Sequence, residues 1–173
     1  MLQPRKSASK YCVYPDEVAR RILSQCIQKE LPMKSSARNT FSGLVSNVTS
    51  AGILTEVTIT TGSGLQVVSL ITNDSAKALD VGPGHPLTAM VKAPWILVSK
   101  DDAGAAMSAR NRYPVTVTKI HSDGLVVEII GELKDGTLMC ALITGTSVDK
   151  LGLAVGDRVR FFFKAMNVIL TAD

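Results

Sequence analysis

Ser36-Ala37-Arg38-Asn39 recurs unchanged as Ser108-Ala109-Arg110-Asn111, a shift of 72 residues. The same shift brings Ile71-Thr72 onto Ile143-Thr144, Ser75 onto Ser147, Gly84 onto Gly156, and Lys92-Ala93 onto Lys164-Ala165. No gap is needed from Ser36 to Val98, roughly a quarter of the aligned positions are identical, and many others exchange one apolar residue for another. Apolar matches are what a shared core requires. Matched Ser, Arg, Thr and Lys are not explained by packing, so each copy carries the same polar set.

Each copy reads as β-rich. Phe41, Leu44, Val45 and Val48 lead to a turn at Ser50-Ala51-Gly52, and Ile53 to Ile59 leads to Thr61-Gly62-Ser63-Gly64. A third apolar run, Leu65–Thr72, follows. The second copy keeps this punctuation at Asp123-Gly124, Lys134-Asp135-Gly136 and Leu138–Thr144. Turn residues spaced this way between β-branched runs predict hairpins. Ser75–Leu79 and Ser147–Leu151 predict a short helix in each copy, and Leu87–Val98 and Val159–Leu170 a last strand. The fold class is therefore mostly β: two tandem five-stranded barrels of the oligonucleotide/oligosaccharide-binding (OB-like) type, preceded by a short N-terminal α-helix. Val18, Ile22, Leu23, Cys26 and Ile27 have the spacing of that helix, with Asp16 and Glu17 near its start and Leu31-Pro32 closing it. The expected organisation is a basic extension with an amphipathic helix over 1–35, a first domain over 36–99, a linker over 100–107 and a second domain over 108–173.

Charge narrows the function. The chain carries a net +4 and has a pI near 9.1. Residues 1–35 alone hold seven Lys or Arg against Asp16, Glu17 and Glu30, which accounts for the whole excess and leaves the repeats neutral. A nucleic-acid-binding module usually concentrates its basic residues on itself, so nucleic acid is not the expected partner. The apolar runs fall short of a membrane span. Cys12, Cys26 and Cys140 form no Cys-x-x-Cys pair, and the first residues lack the apolar stretch of a secretory signal. A cytoplasmic protein is expected.

The repeated polar set is one-sided. Arg and Lys are cations rich in donors, and Ser and Thr hydroxyls also donate. No matched His, Cys or Asp provides a base, nucleophile or metal ligand. Glu56 and Glu128 match, but within strands they can as easily face solvent or pair with a lysine. Such a set suits a dianion and has no machinery for bond-making, so no enzyme is expected. Four or five hydrogen bonds to a charged ligand, less the cost of immobilising it, give about 8–11 kcal/mol, or micromolar to ten-nanomolar binding. A site of donors alone also rejects ligands that keep a proton. Simpler roles are available too: Asn and Ser in a turn, Thr72 and Ser75 as helix caps, Lys92 and Lys164 as edge residues. Trp95 and Phe161-Phe162-Phe163 suit core or subunit interface, and Cys140 a small buried position.

Taken together, Ser-Ala-Arg-Asn, Ile-Thr-x-x-Ser, a Gly, and Lys-Ala in that order resemble the molybdenum-pterin-binding (Mop, molbindin) subclass of TOBE domains over Ser36–Val98 and Ser108–Leu170. The resemblance implies a TOBE/Mop fold that binds molybdate or tungstate between neighbouring domains, with molybdenum held only as the oxyanion and no metal ligated directly by side chains. It implies a homo-oligomer, a trimer of tandem-domain chains, and a role in intracellular molybdenum storage or homeostasis. Carried over, the oxyanion ligands are Ser36 and Arg38 from one module, with Thr72, Ser75, Lys92 and Ala93 from the side facing it. Ser108 and Arg110 stand likewise opposite Thr144, Ser147, Lys164 and Ala165. The two alanines would act through backbone N–H groups. The first copy has Gly43 where the family commonly has glycine, but the second has Val115 after Pro114. Thr55 and Val127 replace the usual Asn before the matched Glu. These departures count against secondary anion sites near the symmetry axis rather than against the principal site, and His121 is either close to such a secondary site or an exposed turn histidine. Other roles remain: the sensing module of a molybdate-responsive transcription regulator, whose winged helix-turn-helix 35 residues cannot hold, or an accessory partner of a molybdate transport ATPase, since no Gly-x-x-x-x-Gly-Lys-Ser/Thr is present.

Overall fold

The computed structural model describes residues 35–100 and 107–172. The amphipathic segment 16–30 and most of the linker lie outside the described residues. The first repeat forms β1 (Asn39–Ala51), β2 (Leu54–Thr61), β3 (Gln66–Thr72), helix α1 (Asn73–Ala78), β4 (Pro86–Val91) and β5 (Leu97–Ser99). The second forms β6 (Asn111–Asp123), β7 (Val126–Glu132), β8 (Leu138–Thr144), α2 (Gly145–Leu151), β9 (Arg158–Phe163) and β10 (Ile169–Thr171). The mostly-β, twofold five-stranded architecture expected from the repeat is present.

The expected final strands are not continuous. Lys92 and Lys164 end β4 and β9, and a single 3-10 turn follows each, Ala93–Trp95 and Ala165–Asn167. In the first copy Pro94 sits at the start of that turn, where it has no N–H to give a strand ladder. The turn sends the last strand away from its own repeat. One sheet runs β10-β4-β1-β2-β3 and the other β5-β9-β6-β7-β8. Leu97 therefore pairs with Phe162, and Ile169 with Met90. Each five-stranded sheet is completed by the other repeat.

The matched glycines have a local cause. Register shifts between Val45 and Asn47, and between Val117 and Lys119, mark a bulge in β1 and in β6. At each bulge the valine carbonyl accepts from a glycine N–H, Gly84 to Val45 and Gly156 to Val117, both at 2.8 Å. These glycines have φ of 83° and 92°, which a side chain would strain.

The two cores are built by complementary exchanges. A Cβ on Gly43 would lie 2.4 Å from the Thr60 carbonyl oxygen and 2.9 Å from Ile59 Cγ2. In the second copy the same two places hold Val115 and Gly131, and a Cβ on Gly131 would lie 2.7 Å from Val115 Cγ2. Large faces small in both copies, with the sizes reversed, so Val115 is the partner of Gly131 and not a defect. Gly43→Ala is expected to destabilise the protein by about 1–3 kcal/mol through overpacking, read as a lower urea midpoint with an unchanged slope.

Two buried asparagines join the repeats. β8 is the edge of its sheet, and Asn39 docks against it as an extra rung: Asn39 Nδ2 donates to the Cys140 carbonyl at 2.9 Å and Oδ1 accepts from Cys140 N–H at 2.7 Å. Nδ2 also donates to the Val91 carbonyl at 3.2 Å. Asn111 does the same to edge strand β3, receiving Val68 N–H at 2.8 Å and donating to its carbonyl at 2.7 Å. Tyr113 donates its hydroxyl hydrogen to the Gln66 carbonyl at 2.6 Å, and burial pushes this phenol above its ordinary range. Unpaired edge groups are thereby satisfied without a continuous ladder. The asparagine of each motif is thus a structural clamp on the opposite repeat. Phe161 and Phe163 lie in the core that the repeats share, with Ile59, Ile96 and Ile129.

Candidate functional site

The residue before each clamp points its side chain at the junction. Because Asn39 pairs with Val91, Ser36 and Arg38 at the entry to β1 adjoin Lys92 and Ala93 at the exit of β4. Ser36, Arg38, Lys92 and Ala93 line one cavity of about 220 Å3 together with Pro94, Glu128 and Leu142. The expectation set Lys92 and Ala93 on the side opposite Ser36 and Arg38. The antiparallel β1–β4 pairing puts all four on one repeat, and the facing wall, Glu128 and Leu142, comes from the other.

Leu142 in the facing wall lies two residues before Thr144 on β8, and Ser147 follows on α2, while Thr72 and Ser75 stand likewise at the start of α1. None of these four lines the cavity as it stands. They cap α1 and α2: Thr72 Oγ1 accepts from Ser75 N–H at 3.1 Å and Thr144 Oγ1 from Ser147 N–H at 3.2 Å. Their hydroxyls also bond each other, at 2.9 Å and 2.8 Å.

The second motif repeats the arrangement in reverse. Asn111 pairs with Phe163, which brings Ser108 and Arg110 beside Lys164 and Ala165. Arg110 reaches across to Glu56 at 3.1 Å, as Arg38 reaches Glu128 at 2.6 Å. Glu56 and Glu128 therefore pair with the motif arginines of the opposite repeat, not with a neighbouring lysine. Their match in sequence was the signal for this; the partner was not readable. The site is not made of donors alone. Lys92 Nζ also stands 5.7 Å from the centre of the half-exposed Trp95 ring, a cation–π contact that steadies it.

The two copies differ beside the carboxylate. Cys140 donates its thiol hydrogen to Glu128 at 3.2 Å, where the first copy has Val68. Burial, the bond to Glu128 and that carboxylate's charge push the thiol up to about 12, against a smaller pull from Arg38. The folded state thus keeps a proton that the unfolded chain releases near pH 8.5. This contribution is complete below that pH and is lost as pH rises toward 12. Cys140→Val, which installs the residue of the other copy, is expected to flatten the fall in urea midpoint across this window.

His121 does not join the cavity. It is exposed on β6, in register with Glu128 on β7. A larger open groove of about 650 Å3 lies near Lys134 and Arg158. The first copy has Gly62 and Pro86 at those places, so this groove is not part of the duplicated chemistry. Among the described residues no group of three or more His, Cys, Asp or Glu is placed to hold a metal ion, and no helix is long and apolar enough to cross a membrane.

Two OB-like sheets in tandem, each with the same polar set at the junction of repeats, define the class of module. The TOBE domain family model matches residues 35–98 and 107–170, and the chain belongs to that family. It is 35% identical over 141 residues to the molybdenum-pterin-binding protein MopA of Rhodobacter capsulatus, covering 81% of this chain and 53% of MopA. It is 31% identical over 145 residues to the molybdenum transport protein ModE of Herbaspirillum seropedicae, covering 84% of this chain and 54% of ModE. The chain spans about half the length of the curated relatives it matches. Among solved structures it is similar to the cytoplasmic molybdate-binding protein ModG with molybdate bound, at 37% identity and a TM-score of 0.78, over 82% of this chain and 100% of that one.

Proposed function

We propose that this chain is a non-catalytic molybdate- and tungstate-binding protein for intracellular molybdenum storage or homeostasis, acting in the cytoplasm. The observation that carries the reading is the convergence of Ser36, Arg38, Lys92 and Ala93 on one cavity, with the same set repeated at Ser108, Arg110, Lys164 and Ala165. Arg and Lys supply two positive charges, the serine hydroxyl and alanine N–H supply neutral donors, and Thr144 with Ser147, or Thr72 with Ser75, completes each site from the facing repeat. The likeness to ModG, which holds molybdate, supports the same ligand here. Titration calorimetry in low-phosphate buffer tests it. Heat with molybdate or tungstate at micromolar protein is expected; silence with both refutes it.

The working unit is a homotrimer. Ile53 and its match Leu125 are 79% and 87% exposed, and Leu97 and its match Ile169 are exposed as well. Apolar groups exposed at matched places on both repeats suit burial against further copies. A solution mass of three 18.4 kDa chains is expected by light scattering. Likeness to ModE favours a second reading, the sensing half of a regulator, and salt-dependent gel-shift of DNA would support it. Neutral repeats weigh against nucleic acid as a partner of the modules themselves.

A further inference from the structure

We infer that Glu128 and Glu56 are resident counter-anions, each holding the motif arginine of the opposite repeat while its site is empty and surrendering it when an oxyanion enters. This rests on the oxyanion reading of the cavity. The two pairs are reciprocal, Arg38 to Glu128 and Arg110 to Glu56, and both cross between repeats. In each pair the carboxylate is the fixed member. Glu128 and Glu56 are borne in mid-strand with side chains 19% and 26% exposed, whereas Arg38 and Arg110 are 67% and 64% exposed. Glu128 Oε1 is further held by the Cys140 thiol.

Glu128 lines the cavity beside Arg38 and Lys92. With its charge in place the lining has one net positive charge, too few to balance a dianion. An arginine bonded to the carboxylate also has fewer N–H groups to offer the ligand. The exposed guanidinium is free to swing from the carboxylate to an oxyanion, leaving the carboxylate behind in the wall. The carboxylate then repels the ligand it has made room for. The result is weaker capture than the donors alone would give, and easier release. At Glu128 the thiol remains to donate to the freed carboxylate. At Glu56 the corresponding residue is Val68, which cannot.

Calorimetry with molybdate on the full chain, its E128Q and E56Q variants and the double variant tests this. Each single variant is expected to bind about tenfold tighter at half of the sites, from removal of one like charge in a partly screened cavity, and the double variant at all of them. In wild type, the Glu128 side-chain carboxyl carbon resonance is expected to shift on saturation with molybdate, a reading that needs no variant. Binding in wild type with equal or weaker binding in the glutamine variants, or an unmoved carboxyl resonance, overturns the exchange and leaves the oxyanion reading standing. No binding in wild type or any variant overturns both.

Discussion

Arg38→Ala is expected to weaken molybdate binding at half of the sites by roughly tenfold to a hundredfold, and Arg110→Ala the other half by the same factor. A hydrogen bond to a charged ligand contributes about 1.5–3 kcal/mol, and each 1.4 kcal/mol is tenfold in affinity. The loss falls toward the upper end for a physical reason. Removing Arg38 also strips Glu128 of its partner, so an uncompensated carboxylate then faces the ligand from the cavity wall. Calorimetry should resolve two classes of site in each single variant and a single, uniformly weakened class in the double variant. Folding should be little affected, because the arginine side chains are mostly exposed and exposed ion pairs contribute only about 0–1 kcal/mol. A variant that binds normally would remove Arg38 from the site.

Asn39→Ala is expected to cost about 2–4 kcal/mol of stability with little direct effect on the ligand. The side chain is 2% exposed and satisfies both the N–H and the carbonyl of Cys140 on a bare sheet edge. Truncation leaves these buried groups unpaired, at about 1–3 kcal/mol each. Asn111→Ala should cost a similar amount, since Asn111 satisfies both the N–H and the carbonyl of Val68 on the other sheet edge. Asn39→Asp separates the two halves of the bond: the carboxylate still accepts from Cys140 N–H but cannot donate to its carbonyl. Chemical unfolding measures all three. A loss below about 1 kcal/mol for Asn39→Ala would mean the edge strand finds water instead.

Much of this architecture was legible because the chain states it twice. The recurrence of Ser-Ala-Arg-Asn, the turn glycines and the Gly84/Gly156 match fixed two copies of one β module, and the bulges at Val45 and Val117 explain why those glycines recur. The exchange of last strands was not legible. Lys92-Ala93-Pro94-Trp95 and Lys164-Ala165-Met166-Asn167 each sit inside an apolar run that reads as one strand, and only Pro94 hinted at a break. Strand partner choice depends on where the turn aims the chain, which local pattern does not encode.

The candidate site was legible as a list and not as a geometry. Shared residue types placed Ser36, Arg38, Lys92 and Ala93 among the candidates, but which of them came from one repeat followed only from the Asn39–Val91 register. Thr72, Ser75, Thr144 and Ser147 cap helices, so their binding role remains with the proposal. Local sequence offers Asn39 only a turn role as an alternative to the shared motif, and its clamp on Cys140 requires the three-dimensional approach of two repeats. Gly43 with Ile59, against Val115 with Gly131, is a signal that could have been found. The small and large residues trade places between aligned copies, as touching positions do.

Native mass spectrometry of the full chain, with and without molybdate, tests the central claim most directly: that each anion is gripped at a junction of repeats by a motif arginine. An oligomer is predicted to gain discrete molybdate masses, at least two per chain (one for each copy of the motif), with half of them needing roughly tenfold to a hundredfold more molybdate in Arg38→Ala and all of them in the double arginine variant. An oligomer that gains no molybdate mass, or fills at the same molybdate concentration with both arginines replaced, would contradict it.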